Sequence, residues 1–255
     1  MADGEERRPG DSSLLTGVGV GPGEPGLLTL AAAEVLRRAD RVVAPTTDLA
    51  APGRAESIVR AALGELAVDR LLFDMSPDGA GGRESRTASH LAAAGRLLPW
   101  LEDGAHVVFV TLGDPNIFST FPSLVDALGR LGWHGRVSTV PGITAFQALA
   151  AATGTVLLDG TESLALVTAL EGTDEVAAAL EDPERAVVVY KGGRHLGAVA
   201  QLLAQRGRLD GAVLGERLGL EDERVGPLGE AGDGPASYLA TVVVPPASRR
   251  HHEDR

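Results

Sequence analysis

Gly113-Asp114-Pro115 follows the run His106-Val107-Val108-Phe109-Val110-Thr111-Leu112 and places a carboxylate where an apolar stretch gives way to a loop. A near-continuous apolar run of this kind reads as a strand covered on both faces of a parallel sheet. The turn after it then opens at the carboxyl edge of the sheet, where α/β proteins bind ligands. Asp114, fixed between a glycine and a proline, can face a ligand there, although an aspartate in a turn also bonds readily to its own backbone. Two similar junctions favour the ligand role: Gly21-Pro22-Gly23-Glu24-Pro25-Gly26 after a first apolar-and-glycine strand, and Pro141-Gly142-Ile143-Thr144 after the strand Arg136 to Val140.

The first of these loops satisfies the letter of the dinucleotide fingerprint G-x-G-x-x-G. Its chemistry argues otherwise, because Pro22 and Pro25 carry no N–H and a pyrophosphate loop works by aiming backbone N–H groups at phosphate oxygens. Three readings of the loop remain open: a site for a non-phosphate adenosyl ligand, a degenerate nucleotide loop, and a tight turn.

Side-chain nucleophiles find little support. The chain has no G-x-S-x-G elbow, no H-E-x-x-H, no Walker lysine pattern and no cysteine. His90, His106, His134 and His195 are isolated and read as structural or solvated, and no metal is expected. Lys191 and Arg194 flank Gly192-Gly193 after the run Ala186 to Tyr190, so this cation pair can hold carboxylates of a substrate or serve as ordinary surface charge. Arg54, Arg83, Arg86 and Arg217 are weaker candidates of the same sort.

These loops need a scaffold, and the composition supplies one. At 255 residues and 44% hydrophobic content the chain can bury one large core or two modest ones. A formal charge of -12 argues against nucleic acid as the main partner. The polar N-terminus does not read as a secretory signal, and no apolar run reaches membrane-spanning length, so a cytoplasmic protein with no membrane partner is expected. Strand and helix patterns alternate up to about Thr153. Two later strand-like runs, Ala212 to Glu216 and Tyr238 to Val244, lack a convincing helix between them and suggest a mixed sheet with antiparallel pairs. The expected fold is therefore two α/β domains: a polar tail at 1–12, an N-terminal parallel domain with flanking helices at 13–138, a C-terminal mixed domain at 139–246, and a tail at 247–255. Within it, Leu27 to Ala39 reads as a helix, Pro99 should end or kink the helix begun at Glu84, and the glycine-rich segment Ser76 to Arg83 reads as mobile.

Taken in order, Gly19-Val20-Gly21-Pro22-Gly23-Glu24-Pro25-Gly26-Leu27-Leu28-Thr29, Thr111-Leu112-Gly113-Asp114-Pro115 and Val140-Pro141-Gly142-Ile143-Thr144 resemble the class of tetrapyrrole methyltransferases that use S-adenosylmethionine in corrin and sirohaem biosynthesis. The resemblance spans almost the whole chain. Asn116-Ile117-Phe118-Ser119-Thr120, Glu216-Arg217-Leu218-Gly219-Leu220 with Glu223-Arg224-Val225, and Ser237-Tyr238 look most like the branch that methylates precorrin-2 at C20. Phe118, where tyrosine is usual, the run Tyr190 to Arg194, and Met75-Ser76-Pro77 depart from that pattern.

The resemblance implies a homodimer with the donor held in a cleft between two α/β domains. Pro22, Gly113, Asp114, Ile117, Thr144 and Ala145 would line the donor site, with Tyr190 and Leu218 contributing from the second domain. Gly21, Gly23, Lys191, Arg194 and Arg217 would face a polycarboxylate tetrapyrrole. The implied reaction is direct methyl transfer to an electron-rich carbon, which needs alignment more than a nucleophilic triad. It leaves the group that removes the C20 proton unassigned. Methylation of cobalt-factor II or at another corrin carbon, and a non-catalytic adenosyl-ligand sensor, are the alternatives.

Overall fold

A computed structural model describes residues 13–74, 82–231 and 236–251, the side chains of residues 82, 83, 250 and 251 excepted. The expected N-terminal tail, most of the glycine-rich segment Ser76 to Arg83, and Met75-Ser76-Pro77 lie outside the described residues. The chain divides into two compact units, Met1–Thr144 and Ala145–Arg255.

The first unit runs β1 (Leu14–Gly19), α1 (Leu30–Arg38), β2 (Arg41–Thr46), α2 (Arg54–Leu63), β3 (Asp69–Leu72), α3 (Gly82–Glu102), β4 (His106–Thr111), α4 (Phe121–Arg130) and β5 (Arg136–Val140). Its strands pair in the order β3-β2-β4-β1-β5, all parallel. Period-two alternation then divides the apolar residues between two faces. Leu15, Val107 and Phe109 pack with Leu97, Leu101 and Leu124 of α3 and α4. Val18, Val108 and Val110 pack with Ala32, Leu36, Ile58 and Val59 of α1 and α2. Burial on both faces is why these strands read as continuous apolar runs.

The second unit runs α5 (Ala145–Thr153), β6 (Ser163–Thr168), α6 (Asp174–Ala179), β7 (Arg185–Tyr190), α7 (Leu196–Gln205), β8 (Val213–Glu216), β9 (Arg224–Pro227) and β10 (Thr241–Val244). Its sheet has the order β6-β7-β10-β8-β9, with β6 and β7 parallel and the remaining pairs antiparallel. The expected parallel and mixed α/β sheets are both present.

Four local expectations need correction. The sequence reading placed the boundary at 138/139, inside β5. That strand pairs with β1 from Leu14↔Arg136 to Val18↔Val140, so the first unit runs on through Thr144. Helix α1 starts only at Leu30, after a 3-10 turn at Pro25–Leu27, because the Thr29 hydroxyl caps it by accepting from the Ala32 N–H. Pro99 lies inside α3 without ending it, and full burial of Leu97 and Leu101 on either side offsets the missing backbone bond. Finally, the presumed tail from Ala247 forms a 3-10 turn as far as His251, and Arg249 reaches Glu162 at 2.6 Å, a contact no local pattern announces.

Three titratable groups make the first unit sensitive to acid. Burial lowers the affinity of His90 and His106 for a proton, against a weaker opposing pull from the Arg86 carbonyl on His90 and from Asp40 on His106. His106 Nε2 lies 2.9 Å from the Thr16 hydroxyl, which in turn lies 2.9 Å from Ser138. Glu56, fully buried, is held below the usual carboxylate range chiefly by its hydrogen bonds to Arg70, with burial opposing and Arg60 assisting. Both histidines prefer to be neutral when folded, so their contribution is complete above about pH 6.5 and is lost as pH falls below it. The Glu56 contribution is present above its unfolded value of 4.5 and is lost as pH falls through its lower folded value. Trp100 and Trp133 are the chain's only tryptophans and both lie in the first unit, so indole fluorescence reports that unit alone. The urea midpoint read by fluorescence should fall from pH 7.5 to 5.5 and fall again towards pH 4. A flat midpoint over the first interval would rule out the histidine contribution.

Candidate functional site

The carboxyl ends of β4, β1 and β5 are neighbours, with Gly19 opposite Thr111 and Val18 opposite Val140. Three motif loops therefore leave the sheet side by side. They pack backbone on backbone. A Cβ on Gly19 would lie 2.3 Å from the Gly113 carbonyl oxygen, and one on Gly142 only 2.0 Å from the same atom. Gly113 adopts a left-handed φ of 64° and donates its N–H to the Gly21 carbonyl at 2.9 Å.

Asp114 is 9% exposed, and both its carboxylate oxygens are engaged by backbone. Oδ1 accepts from the Asn116 N–H at 2.8 Å, which is the turn role, and Oδ2 accepts from the Gly142 N–H at 3.0 Å. The second bond ties the loop after β4 to the loop after β5. Asn116 adds a parallel link from its side-chain amide to the Thr139 hydroxyl at 3.2 Å. Asp114 thus joins two motif loops through its carboxylate.

The Gly21–Gly26 loop is no phosphate cradle. The Glu24 side chain accepts from the Gly26 N–H at 3.3 Å, while Leu27 N–H and Leu28 N–H donate to the carbonyls of Glu24 and Pro25. These bonds occupy the N–H groups of Gly26, Leu27 and Leu28, and the two prolines have none to offer a phosphate. Beside Gly113 there is room, since an added Cβ would meet only Thr144 Cα, at 3.9 Å. Gly21, Gly23, Asp114 and Thr144 are buried here, and Pro22, Gly113 and Ile117 half-buried.

In the second unit, Ala145, Tyr190 and Leu218 pack in one small apolar cluster with Leu149, Val188 and Val243. The Tyr190 hydroxyl accepts from the Phe146 N–H at 3.2 Å, covering an otherwise unpaired donor in the first turn of α5. Lys191 and Arg217 directly follow β7 and β8, and both adopt left-handed backbones, with φ of 57° and 53°. The Lys191 ammonium lies 5.9 Å from the centroid of the Tyr238 ring. Arg217 forms an ion pair with Asp222, Arg194 is exposed in a 3-10 turn, and Arg54 and Arg86 are exposed on α2 and α3.

Residues 14–232 match the family described as Tetrapyrrole (Corrin/Porphyrin) Methylases. The chain belongs to that family. It is 35% identical over 233 residues to the cobalt-precorrin-2 C(20)-methyltransferase of Salmonella typhimurium, covering 90% of this chain and 95% of the relative. It is 31% identical over 236 residues to the precorrin-2 C(20)-methyltransferase of a Sinorhizobium species, covering 91% and 94%. The X-ray structure of cobalt precorrin-4 methyltransferase, a cobalamin biosynthetic enzyme, shares the fold with a TM-score of 0.66 at 20% identity, over 92% of this chain and 96% of that one.

Family members use S-adenosylmethionine, and the first unit of this methylase fits a donor without phosphate. Its glycine loop contains two prolines without an N–H and bonds its Gly26 N–H to Glu24, and the space beside Gly113 would be filled by any larger residue. Two surface depressions, one lined by Asp126, Arg130 and Trp133 and one by Ala200, Leu209 and Leu228, contain none of the motif residues. Among the described residues no cluster of histidine or carboxylate side chains could hold a metal, and no helix is long and apolar enough to cross a membrane.

One residue entered the sequence reading only as part of a resembling motif, with no role of its own. Glu216 is buried, accepts from the Ser237 N–H at 2.7 Å and pairs with Arg224 at 3.0 Å. It thereby holds the segment whose Ala236 and Ser237 carbonyls press on Gly193. Apart from that motif, the signal was an acidic residue at the end of an apolar run, which is too common to single out.

Proposed function

We propose that this methylase transfers the methyl group of S-adenosylmethionine to C20 of precorrin-2, giving precorrin-3A and S-adenosylhomocysteine. The observation that carries the reading is the match, over nine-tenths of the chain, to two relatives that are both named for methylation at C20. The donor supplies an electrophilic methyl on a sulfonium centre. The chain's residues then have to hold and align the reactants, and the nucleophile is the substrate's own meso carbon. A bond forms from that carbon to the methyl as the methyl–sulfur bond breaks, and the C20 proton leaves. Alignment of this kind is worth on the order of 7–11 kcal/mol, which is consistent with a site lacking a nucleophilic triad.

For the donor, we assign Pro22, Gly113, Asp114, Ile117 and Thr144 in the first unit and Ala145, Tyr190 and Leu218 in the second. Asp114 acts by fixing the loops, as its bonds to Asn116 and Gly142 support. For the substrate, the backbone at Gly21 and Gly23 and the cations Lys191, Arg194 and Arg217 are assigned, the cations because a polycarboxylate needs them. A homodimer in the cytoplasm completes the reading, supported by the resemblance and testable by light scattering.

Because one relative is named for cobalt-precorrin-2, a cobalt-containing substrate such as cobalt-factor II is the second reading. Incubation with S-adenosylmethionine and each tetrapyrrole, followed by mass measurement and NMR location of the new methyl, decides between them. A methyl at C20 is the expected product. Donor binding with no methylation of either compound would favour the sensor.

A further inference from the structure

Strands β7 and β8 flank β10 and both run antiparallel to it, so their carboxyl ends and the entry to β10 share one edge of the second sheet. The register is close: Thr241 of β10 faces Tyr190 on one side and Gly215 on the other. Lys191 and Arg217, one and two residues beyond those pairs, therefore leave the sheet on either side of the segment Ala236 to Ala240. That segment is clamped to both neighbours. Towards β7, the Ala236 N–H donates to the Gly193 carbonyl at 3.1 Å, and Gly193 comes so near that an added Cβ would lie 2.2 Å from the Ser237 carbonyl oxygen. The Lys191 ammonium, 5.9 Å from the centroid of the Tyr238 ring, adds a contact with the same segment. Towards β8, the Ser237 N–H donates to Glu216 Oε1 at 2.7 Å. Glu216 is 5% exposed, and its second oxygen meets the Arg224 guanidinium at 3.0 Å.

One buried carboxylate thus ties together the places from which three cations depart: Arg217 follows Glu216 directly, and Lys191 and Arg194 flank the clamped Gly192-Gly193. Lys191 and Arg217 also hold left-handed backbones, with φ of 57° and 53°, and such conformations persist only where the surroundings over-determine them. The clamp supplies that constraint. We propose that Glu216 is a substrate-positioning residue: without touching the tetrapyrrole, it sets the spacing of Lys191, Arg194 and Arg217, which receive the substrate's carboxylates. A rigid macrocycle carries its carboxylates at fixed separations, so cations on separate loops bind it well only if their own spacing is fixed beforehand. The inference rests on the C20-methyltransferase reading and its assignment of those cations, and deepens it by naming the group that holds them in register.

The test compares Glu216→Ala and Glu216→Gln, each alone and combined with Lys191→Met, with the unaltered protein. KM and kcat are measured for precorrin-2 or its cobalt analogue, affinity for S-adenosylhomocysteine by calorimetry, and folding by circular dichroism. Alanine should raise KM about tenfold or more, because hydrogen bonds to a charged group are among the stronger ones, while kcat stays within about threefold. Glutamine keeps an oxygen for the Ser237 N–H but turns its amide donors towards Arg224, so its KM should lie between, and it carries the test if alanine fails to fold. Combined with Lys191→Met, either substitution should raise KM by less than the product of the separate factors, since both act on one set of contacts. Affinity for S-adenosylhomocysteine should stay within about threefold. Folded variants with unchanged KM, or KM factors that simply multiply, would overturn the inference and leave the reading intact, as would a loss confined to kcat or to S-adenosylhomocysteine binding. If the unaltered protein methylates neither tetrapyrrole, the reading falls and takes the inference with it.

Discussion

Asp114→Ala should weaken S-adenosylhomocysteine binding at least about tenfold in calorimetry. The carboxylate accepts two backbone N–H groups, from Asn116 at 2.8 Å and from Gly142 at 3.0 Å. Hydrogen bonds to a charged group are worth roughly 1.5–3 kcal/mol each, and about 1.4 kcal/mol is tenfold in affinity, so losing a fraction of the loop restraint suffices. The effect is indirect, acting on the positions of Gly113, Ile117 and the Pro141-Gly142 backbone. Asp114→Asn removes the charge and half of the staple together. An amide keeps one acceptor but turns a donor towards one of the two N–H groups, so asparagine should bind nearly as poorly as alanine. If the folded alanine variant kept the original affinity, the staple would have no bearing on the donor.

Gly142→Ala should be more damaging still, reducing methyl transfer at least about a hundredfold and destabilising the first unit by about 1–3 kcal/mol. The added Cβ would sit 2.0 Å from the Gly113 carbonyl oxygen, 2.7 Å from Gly19 Cα and 2.8 Å from the Gly19 carbonyl carbon. These are backbone atoms, so no side-chain rotation relieves the contact. Nor can Gly113 retreat cheaply, since its N–H is bonded to Gly21 and the adjacent strand β4 is central in the sheet. Gly95→Ala is the matched control in the same unit: it lies within α3 with no atom near its would-be Cβ, and should be neutral or slightly stabilising. Equal effects of the two substitutions on turnover and on the fluorescence-detected urea midpoint would remove the close loop packing as their cause.

Much of this protein is legible along the chain because the signals are local. Val107 to Val110 can only be a strand buried on both faces, and the Gly21, Gly113 and Pro141 turns can only lie where such strands end. The order of those turns is enough to reach the family. Two prolines in the first loop argue against a phosphate site, and the structure adds that the Gly26 N–H is bonded to Glu24 and the Leu27 and Leu28 N–H groups to the loop's own carbonyls.

Other features were out of reach for reasons of the same physical kind. Strand β9 is four residues with no apolar periodicity, and it exists because β8 offers it an antiparallel partner. The 3-10 turn at Ala247–His251 persists with Arg249 on Glu162, 87 residues away in sequence. Proline 99 fails to stop α3 because the penalty is local while the compensating burial of Leu97 and Leu101 is not.

Sequence alone therefore determined the fold class and the three loops, since turn residues and apolar runs act through their immediate neighbours, and the resemblance those loops carry pointed to the methyl donor. Only the tertiary structure decided what Asp114 does. Whether its carboxylate faced a ligand, its own turn or another loop depended on Gly142, 28 residues further on, arriving within 3.0 Å. That arrival follows from β4 and β5 flanking β1, a pairing that no stretch of the chain encodes by itself.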